Sequence, residues 1–299
     1  MHYVMYYGIH VPNFGAFGDA RLLAEMAHEA EDAGWDGFFL WDQIANTFRS
    51  PIVRHVVDPW VALTAIALRT RHIRMGTMVT PLPRRRPTKL ARETVSLDQL
   101  SQGRLILGVG AGGGDPDFAA LGETANPKML ASMLDEGLEV LTGLWSGEPF
   151  QHEGTHYRIH EAQFLPSPVQ SPRIPIWVAA TWPRKAPFRR AARWDGVFPF
   201  GFYEKLTEMV PPEELSEIVR FIAEQPGYKK PFDVVQLGIT SGTDRAYDHD
   251  LVAAYIRAGA TWWLENIYPE RWGSWTDWPV ETMRQRIQQG PPRVEGEGR

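Results

Sequence analysis

Four large apolar residues, Phe38, Phe39, Leu40 and Trp41, run straight into an acid and an amide, Asp42 and Gln43. A buried strand that ends this way sets a carboxylate, which only accepts hydrogen bonds, beside an amide that donates and accepts. Either the carboxylate solvates a loop or both groups face a pocket. A second candidate is the run Gly-Val-Gly-Ala-Gly-Gly at 108–113, which fits the spacing G-x-G-x-x-G. A dinucleotide fingerprint must open a helix at once. Here Asp115, Pro116 and Asp117 follow, and a strong helical pattern waits until about Pro127. These glycines read instead as a loop that lets a ligand lie close to the backbone. No H-x-x-x-H spacing occurs and the chain has no Cys, so thiolate chemistry, disulfides and Cys-ligated metals are excluded and no metal site is expected.

The elements that must position these groups alternate. Strand-like runs are expected at 3–9, 37–41, 74–79, 105–109, 174–179, 196–200, 234–239 and 261–266, with amphipathic segments between them. Helix starts are marked by Asp19, by Asp58-Pro59, by Pro87 and by Asn126-Pro127; Gly34 and Gly103 mark stops. On the third helix, Leu90, Ala91, Thr94, Val95, Leu97 and Leu100 are expected to face inward. Residues 149–165 break the alternation with a β-hairpin. Eight strands alternating with eight helices predict a (β/α)8 TIM barrel, with the hairpin inserted between the fourth helix and the fifth strand. One domain over 1–289 and a flexible tail over 290–299 are expected.

In such barrels chemistry sits at the C-terminal ends of the strands. Those ends carry His10, then Asp42 and Gln43, then Thr77, Met78 and Val79, then Gly110, Ala111 and Gly112, then Ala179, Ala180, Thr181 and Trp182. They are mostly small, glycine-rich or aromatic, offering main-chain N–H groups and flat walls. Asp42, Asp115 and Glu265 could all reach the rim as a glycosidase set, but that chemistry needs two carboxyls facing one bond about 5–10 Å apart, and the seventh strand ends without an acid. Trp177, Trp182, Phe200, Phe202 and Trp263 are candidates for an apolar pocket or for core.

The whole chain has 299 residues, 31 basic and 36 acidic, for a net charge of −5, which gives no case for nucleic acid. The only basic run, Arg84-Arg85-Arg86, reads as a solvated loop or subunit contact. No stretch approaches the roughly 20 apolar residues of a membrane helix, and the N-terminus has no signal-peptide pattern. A cytoplasmic protein is expected.

Several segments together resemble the bacterial luciferase-like superfamily of flavin-dependent oxidoreductases: AGWDGFFLWDQI at 33–44, the long stretch at 74–113, IPIWVAATWP at 174–183, RWDGVFP at 193–199 and AGATWWLENI at 258–267. The resemblance implies a (β/α)8 barrel that binds FMN or the deazaflavin coenzyme F420, acts on a small-molecule substrate and commonly forms a homodimer. It implies a ring seat at Thr77, Met78 and Val79, with a non-prolyl cis peptide at Thr77–Met78 or Met78–Val79. The loop at Gly110, Ala111 and Gly112 would approach the ring or ribityl chain. The phosphate would meet Ala179, Ala180 and Thr181 at a helix N-terminus, with Arg184 or Lys185 as counter-charge. Deazaflavin relatives commonly end the second strand in Asp-His. Asp42 matches as the coenzyme contact; Gln43 does not, and an amide cannot shuttle a proton. His10, Asp115 or water would then take that duty. The Trp-Asp ending favours F420-linked hydride transfer over an FMN-dependent monooxygenase; a non-catalytic flavin-binding barrel is the reading from another class.

Overall fold

The computed structural model describes residues 5–45, 54–112, 116–124, 126–201 and 209–294. Along the chain run β1 (Tyr6–Val11), α1 (Ala20–Asp32), β2 (Gly37–Leu40), α2 (Pro59–Arg69), β3 (Arg74–Pro81), α3 (Pro87–Ser101), β4 (Leu105–Gly110), α4 (Pro116–Ala120) and α5 (Pro127–Trp145). There follow β5 (Phe150–Glu153), β6 (Arg158–Ala162), β7 (Ile176–Thr181), α6 (Lys185–Ala191), β8 (Gly196–Phe200), α7 (Pro212–Ala223), β9 (Asp233–Gly238), α8 (Arg245–Ala258), β10 (Trp262–Asn266) and α9 (Val280–Gln288). Eight strands close in the order β1-β10-β9-β8-β7-β4-β3-β2, with β1 pairing in parallel to both β10 and β2. This is a (β/α)8 TIM barrel. The antiparallel β5–β6 hairpin is the insertion, lying between α5 and β7. The carboxylate of Glu136 on α5 holds the hairpin, accepting from the main-chain N–H of Tyr157 (2.7 Å) and of His156 and from His152 Nε2 (3.2 Å).

Local chemistry explains the elements. The barrel strands are largely buried, and β2 and β4 are so from end to end, because helices cover the outside and side chains fill the inside. Asp58 Oδ1 accepts from Trp60 N (2.9 Å) and Val61 N (3.1 Å), and Pro59 at the first helical position gives up no needed donor. Asn126 caps α5 in the same way, through Lys128 N and Met129 N. Two expectations change. Leu100 is 42% exposed, because at about 3.6 residues per turn it falls outside the buried arc of Leu90, Ala91, Thr94, Leu97, Asp98 and Ser101. The short α4 was not foreseen from the pattern, since it holds barely one turn.

The barrel interior is a layered core of Phe39, Met78, Ile106, Trp177, Phe198, Val235, Trp262 and Leu264. Its floor, at the N-terminal ends of the strands, is built from first residues: the Tyr6 ring stacks on Trp262 at 4.9 Å, and the Arg74 guanidinium lies 4.7 Å and 5.6 Å from those two rings. Asp233 completes the floor, accepting from Trp177 Nε1 (3.1 Å) and Thr261 Oγ1 (3.0 Å); burial pushes its carboxyl above the ordinary value. Towards the mouth, β3 and β4 approach so closely that a Cβ at Gly76 would run into Ile106 O, and one at Gly108 into Thr77 O. Past that point β3 carries one extra residue against β4: Thr77 faces Leu107 but Thr80 faces Val109. No helix among the described residues is long and apolar enough to cross a membrane.

Candidate active site

Three donors converge on Asp42, whose side chain has no exposed surface. Arg85 approaches it two-pronged, Nη2 to Oδ1 at 2.6 Å and Nε to Oδ2 at 3.2 Å, and Thr80 Oγ1 donates to Oδ2 at 2.7 Å. Arg84 Nη2 donates to the Asp42 main-chain oxygen at 2.9 Å. From Thr80 the chain of hydroxyls continues to Thr77 Oγ1 (2.8 Å). The carboxylate at the end of β2 thus ties down the bulge of β3 and the arginines that follow it. Arg84 and Arg85 were expected in a solvated loop or subunit contact; their side chains are only 4% and 17% exposed, because a buried carboxylate is their partner. The Arg84 guanidinium also lies 5.1 Å from the Phe118 ring.

Gln43 is built into a reciprocal amide contact. Its main-chain N–H donates to Asn13 Oδ1 (3.1 Å), and Asn13 Nδ2 donates back to Gln43 O (2.8 Å) and on to Val57 O (2.7 Å). The Gln43 side-chain amide donates to Ala45 O at 2.9 Å. Fully buried Asn13 therefore joins the loops after β1 and β2, a role its sequence position did not signal.

His10 is the penultimate residue of β1, not a residue after the strand, since β1 runs to Val11. It is 4% exposed. Its Nε2 is 3.0 Å from Met78 O and its Nδ1 is 3.1 Å from Asn266 Oδ1. Trp41 stacks on the ring at 5.7 Å and Phe198 meets it edge-on at 6.0 Å. Burial, the largest influence, takes the imidazole below its ordinary value, against the opposing effects of Met78 and Asn266.

The Met78–Val79 peptide is cis. Val79 is half-buried at the mouth, whereas Thr77 and Thr80 on either side are fully buried. Facing Val79 are Gly110 and Ala179: a methyl group placed on Gly110 would sit 3.0 Å from Val79 Cγ2 and 3.5 Å from Ala179 Cβ. Three short residues from β3, β4 and β7 therefore leave a shallow cradle that one added carbon would fill. Ala111 is half-buried and Gly112 exposed, with φ +67°, where a side chain is strained. On the other half of the mouth the rings of Phe14, Trp41, Trp275 and Trp278 pack at 5.7–6.3 Å, drawn from the loops after β1, β2 and β10.

Residues 5–265 match the model of the luciferase-like monooxygenases. The chain belongs to that family. Among its luciferase-like relatives is the F420-dependent hydroxymycolic acid dehydrogenase of Mycobacterium tuberculosis, 34% identical over 171 residues, 57% of this chain and 46% of that one. The oxygenase component of the flavin-dependent trigonelline monooxygenase of Acinetobacter baylyi is 30% identical over 131 residues, 44% of this chain and 36% of that one. The chain thus spans less than half the length of either relative. The fold also matches an F420-dependent secondary alcohol dehydrogenase in complex with an F420-acetone adduct, with a TM-score of 0.76 at 16% identity over 97% of this chain and 98% of that one.

Against the luciferase-like pattern, Ala179, Ala180 and Thr181 fall inside β7, not after it, and α6 opens only at Lys185. The Lys185 ammonium lies over the Trp182 ring at 3.3 Å. Trp177 and Trp263 are fully buried core, whereas Trp182 and Phe200 are half-buried; Phe202 and Asp115 lie outside the described residues. Glu265 does not face the mouth as a free acid. It is fully buried, bonded by Arg271 Nη1 (2.7 Å), Thr240 N (3.0 Å), Thr240 Oγ1 (2.8 Å) and Trp263 Nε1 (3.1 Å), with Arg286 Nε at 3.3 Å. Asn13, Thr80 and Asn266 stand at strand ends in the sequence but carry no pattern that signals a role, and Arg85 reads as part of a charged loop; all four hold others in place across strands.

Proposed function

We propose that the protein rests a planar redox carrier, coenzyme F420 in preference to FMN, on the half of its mouth formed by β3, β4 and β7, and passes hydride between it and a small organic substrate. The observation that carries this reading is the cradle of Val79, Gly110 and Ala179, which one carbon at Gly110 would fill. A flat ring needs such bare main chain; a crowded rim would refuse it. Thr77, Met78 and Val79 would back the ring, Gly110, Ala111, Gly112 and Ala179 would border it, and Ala180 and Thr181, at the end of β7, would lie towards its phosphate-bearing tail. When bound, a deazaflavin supplies a two-electron hydride site, and reduced FMN in its place would also react with oxygen.

The chain's own part is position and electrostatics. Asp42, committed to Arg85 and Thr80, fixes the back of the cradle and sets guanidinium charge beside it. Gln43 orients a ligand without moving a proton. Phe14, Trp41 and Trp275 supply a flat apolar wall for the substrate and exclude water. The F420-linked relative and the fold-level match to an F420-dependent alcohol dehydrogenase support F420. The trigonelline monooxygenase supports the second reading, an FMN-dependent monooxygenase.

Titrating the purified protein with F420 and with FMN, followed by fluorescence quenching, tests the proposal. Saturable uptake of F420 is expected, weakened at least about tenfold in Gly110→Val, a loss of roughly 1.4 kcal/mol. Uptake of FMN alone would transfer the reading to the monooxygenase, and uptake of neither would remove it. Turnover over a panel of alcohols, aldehydes and enones then separates an enzyme from a binding barrel. A homodimer through barrel helices belongs to the same reading, since Val61 and Leu68 on α2 and Leu100 on α3 are exposed. A monomer in sedimentation velocity would strike it out.

A further inference from the structure

Resting on that reading, we propose that His10 is a positioning residue and not the proton carrier. Its Nε2–H, donated to the carbonyl of Met78, pins the step of β3 that presents Val79 to the coenzyme. Asn266 in turn fixes the ring by donating its amide N–H to Nδ1.

The assignment follows from what each partner can do. A main-chain carbonyl only accepts, so the imidazole nitrogen 3.0 Å from Met78 O must carry hydrogen. A second hydrogen on Nδ1 would make the ring a cation. Among the described residues, its hydrogen-bonding and ring partners, from β10, β3, the residue after β2 and β8, are an amide, a main-chain carbonyl and the rings of Trp41 and Phe198; none is a carboxylate that would balance a charge. At 4% exposure, water does not balance it either. The ring is therefore neutral and Nδ1 is an acceptor. The amide is placed with Asn266 Oδ1 3.1 Å from Nδ1; a neutral ring with Nε2–H needs the NH2 end there instead, and since the two ends of an amide are interchangeable in shape, the hydrogen-bond network decides between them. Burial, which lowers the imidazole's affinity for protons, acts in the same direction.

The geometry has a mechanical result. Met78 is the residue before Val79, and the carbonyl that His10 holds belongs to the peptide joining them. Thr80, on the far side of Val79, is held by Asp42. Val79 is thus clamped from both sides, by a side chain of β1, two strands away across β2, and by one from the end of the adjoining β2. A neutral ring with both nitrogens engaged cannot hand over a proton without releasing that clamp, so proton delivery falls to another group or to water.

Two amide substitutions separate the parts. In His10→Gln the side-chain NH2 stands about where Nε2 stood and still reaches Met78 O. In His10→Asn it stands about where Nδ1 stood and does not. We expect the Gln protein to take up F420 within about threefold of wild type and the Asn protein to bind about tenfold more weakly, the loss of one hydrogen bond to a buried acceptor. Thermal midpoints of both variants, taken without coenzyme, show that they fold. Long-range 1H–15N correlation on the coenzyme-free wild type reads the tautomer directly, with His10 identified among the nine histidines by its absence in His10→Gln. We expect the Nε2–H pattern, unchanged from about pH 5 to about pH 8, a range in which an ordinary imidazole titrates. An Nδ1–H pattern, a titration within that range, or equal affinity of the Gln and Asn proteins would overturn the proposal. Uptake of neither carrier by the wild type would instead defeat the functional reading and with it the seat, while the tautomer would still report on the bond to Met78.

Discussion

Asp42 and His10 do comparable work from opposite sides of Val79, and both are testable singly. Truncating Asp42 strands Arg85 without its buried counter-charge, so Asp42→Ala should cost about 3–5 kcal/mol in urea unfolding. Thr80→Val, which keeps the shape and removes one hydroxyl, should cost about 1–2 kcal/mol. His10 adds a pH dependence. Its folded imidazole binds protons less readily than the unfolded one, so the unfolded chain takes up the extra proton just below pH 6.5. Stability should therefore fall as pH drops from about 6.5, with a slope of up to about 1.4 kcal/mol per unit. In His10→Gln that part of the slope should vanish from a plot of unfolding free energy against pH. Asp42, Gln43, His10 and the small residues of the mouth were legible in the sequence as strand-end groups. That Asp42 would spend its carboxylate on Arg85 was not, because the pairing depends on where β3 turns, and Arg84-Arg85-Arg86 looked like any charged loop.

Elements were legible where their signals are local. Asp58-Pro59 and Asn126-Pro127 start helices because an oxygen two or three residues ahead of free N–H groups satisfies them in any context. Asp58→Ala should accordingly cost about 1 kcal/mol in thermal or urea unfolding. What the pattern could not carry was depth. Leu100 falls at the margin of the apolar stripe and stays exposed, and the single extra residue in β3 is visible only against β4. That pair of strands is also the tightest place in the barrel. Gly76→Ala and Gly108→Ala each drive a methyl into a main-chain oxygen that cannot retreat without breaking the ladder. Each should reach or exceed the upper end of the roughly 1–3 kcal/mol that overpacking costs. Gly108→Ala should also weaken coenzyme uptake, since the strand it displaces carries Val79.

At the scale of the whole molecule, the alternation of strand and helix gave away the barrel, since eight parallel strands with helical crossovers close on themselves. The hairpin was legible as an interruption of that rhythm. Closure brings β10 beside β1 and places Glu265 among Arg271, Arg286 and Thr240 outside the ring of strands. Burial alone would raise this carboxyl, but Arg286 and Arg271 bring it below its ordinary value. A carboxyl lowered on folding stabilises above the unfolded value, about 4.3, and loses that contribution as pH falls through the folded one. Glu265→Gln should therefore be less stable than wild type at neutral pH and lose less on acidification, measured as urea midpoints at both. The floor of Tyr6, Arg74, Trp262 and Asp233 closes the opposite end of the cylinder. A vessel with one opening makes its contents queue: whichever reactant settles deepest enters first and departs last, and product-inhibition kinetics would record that order of traffic.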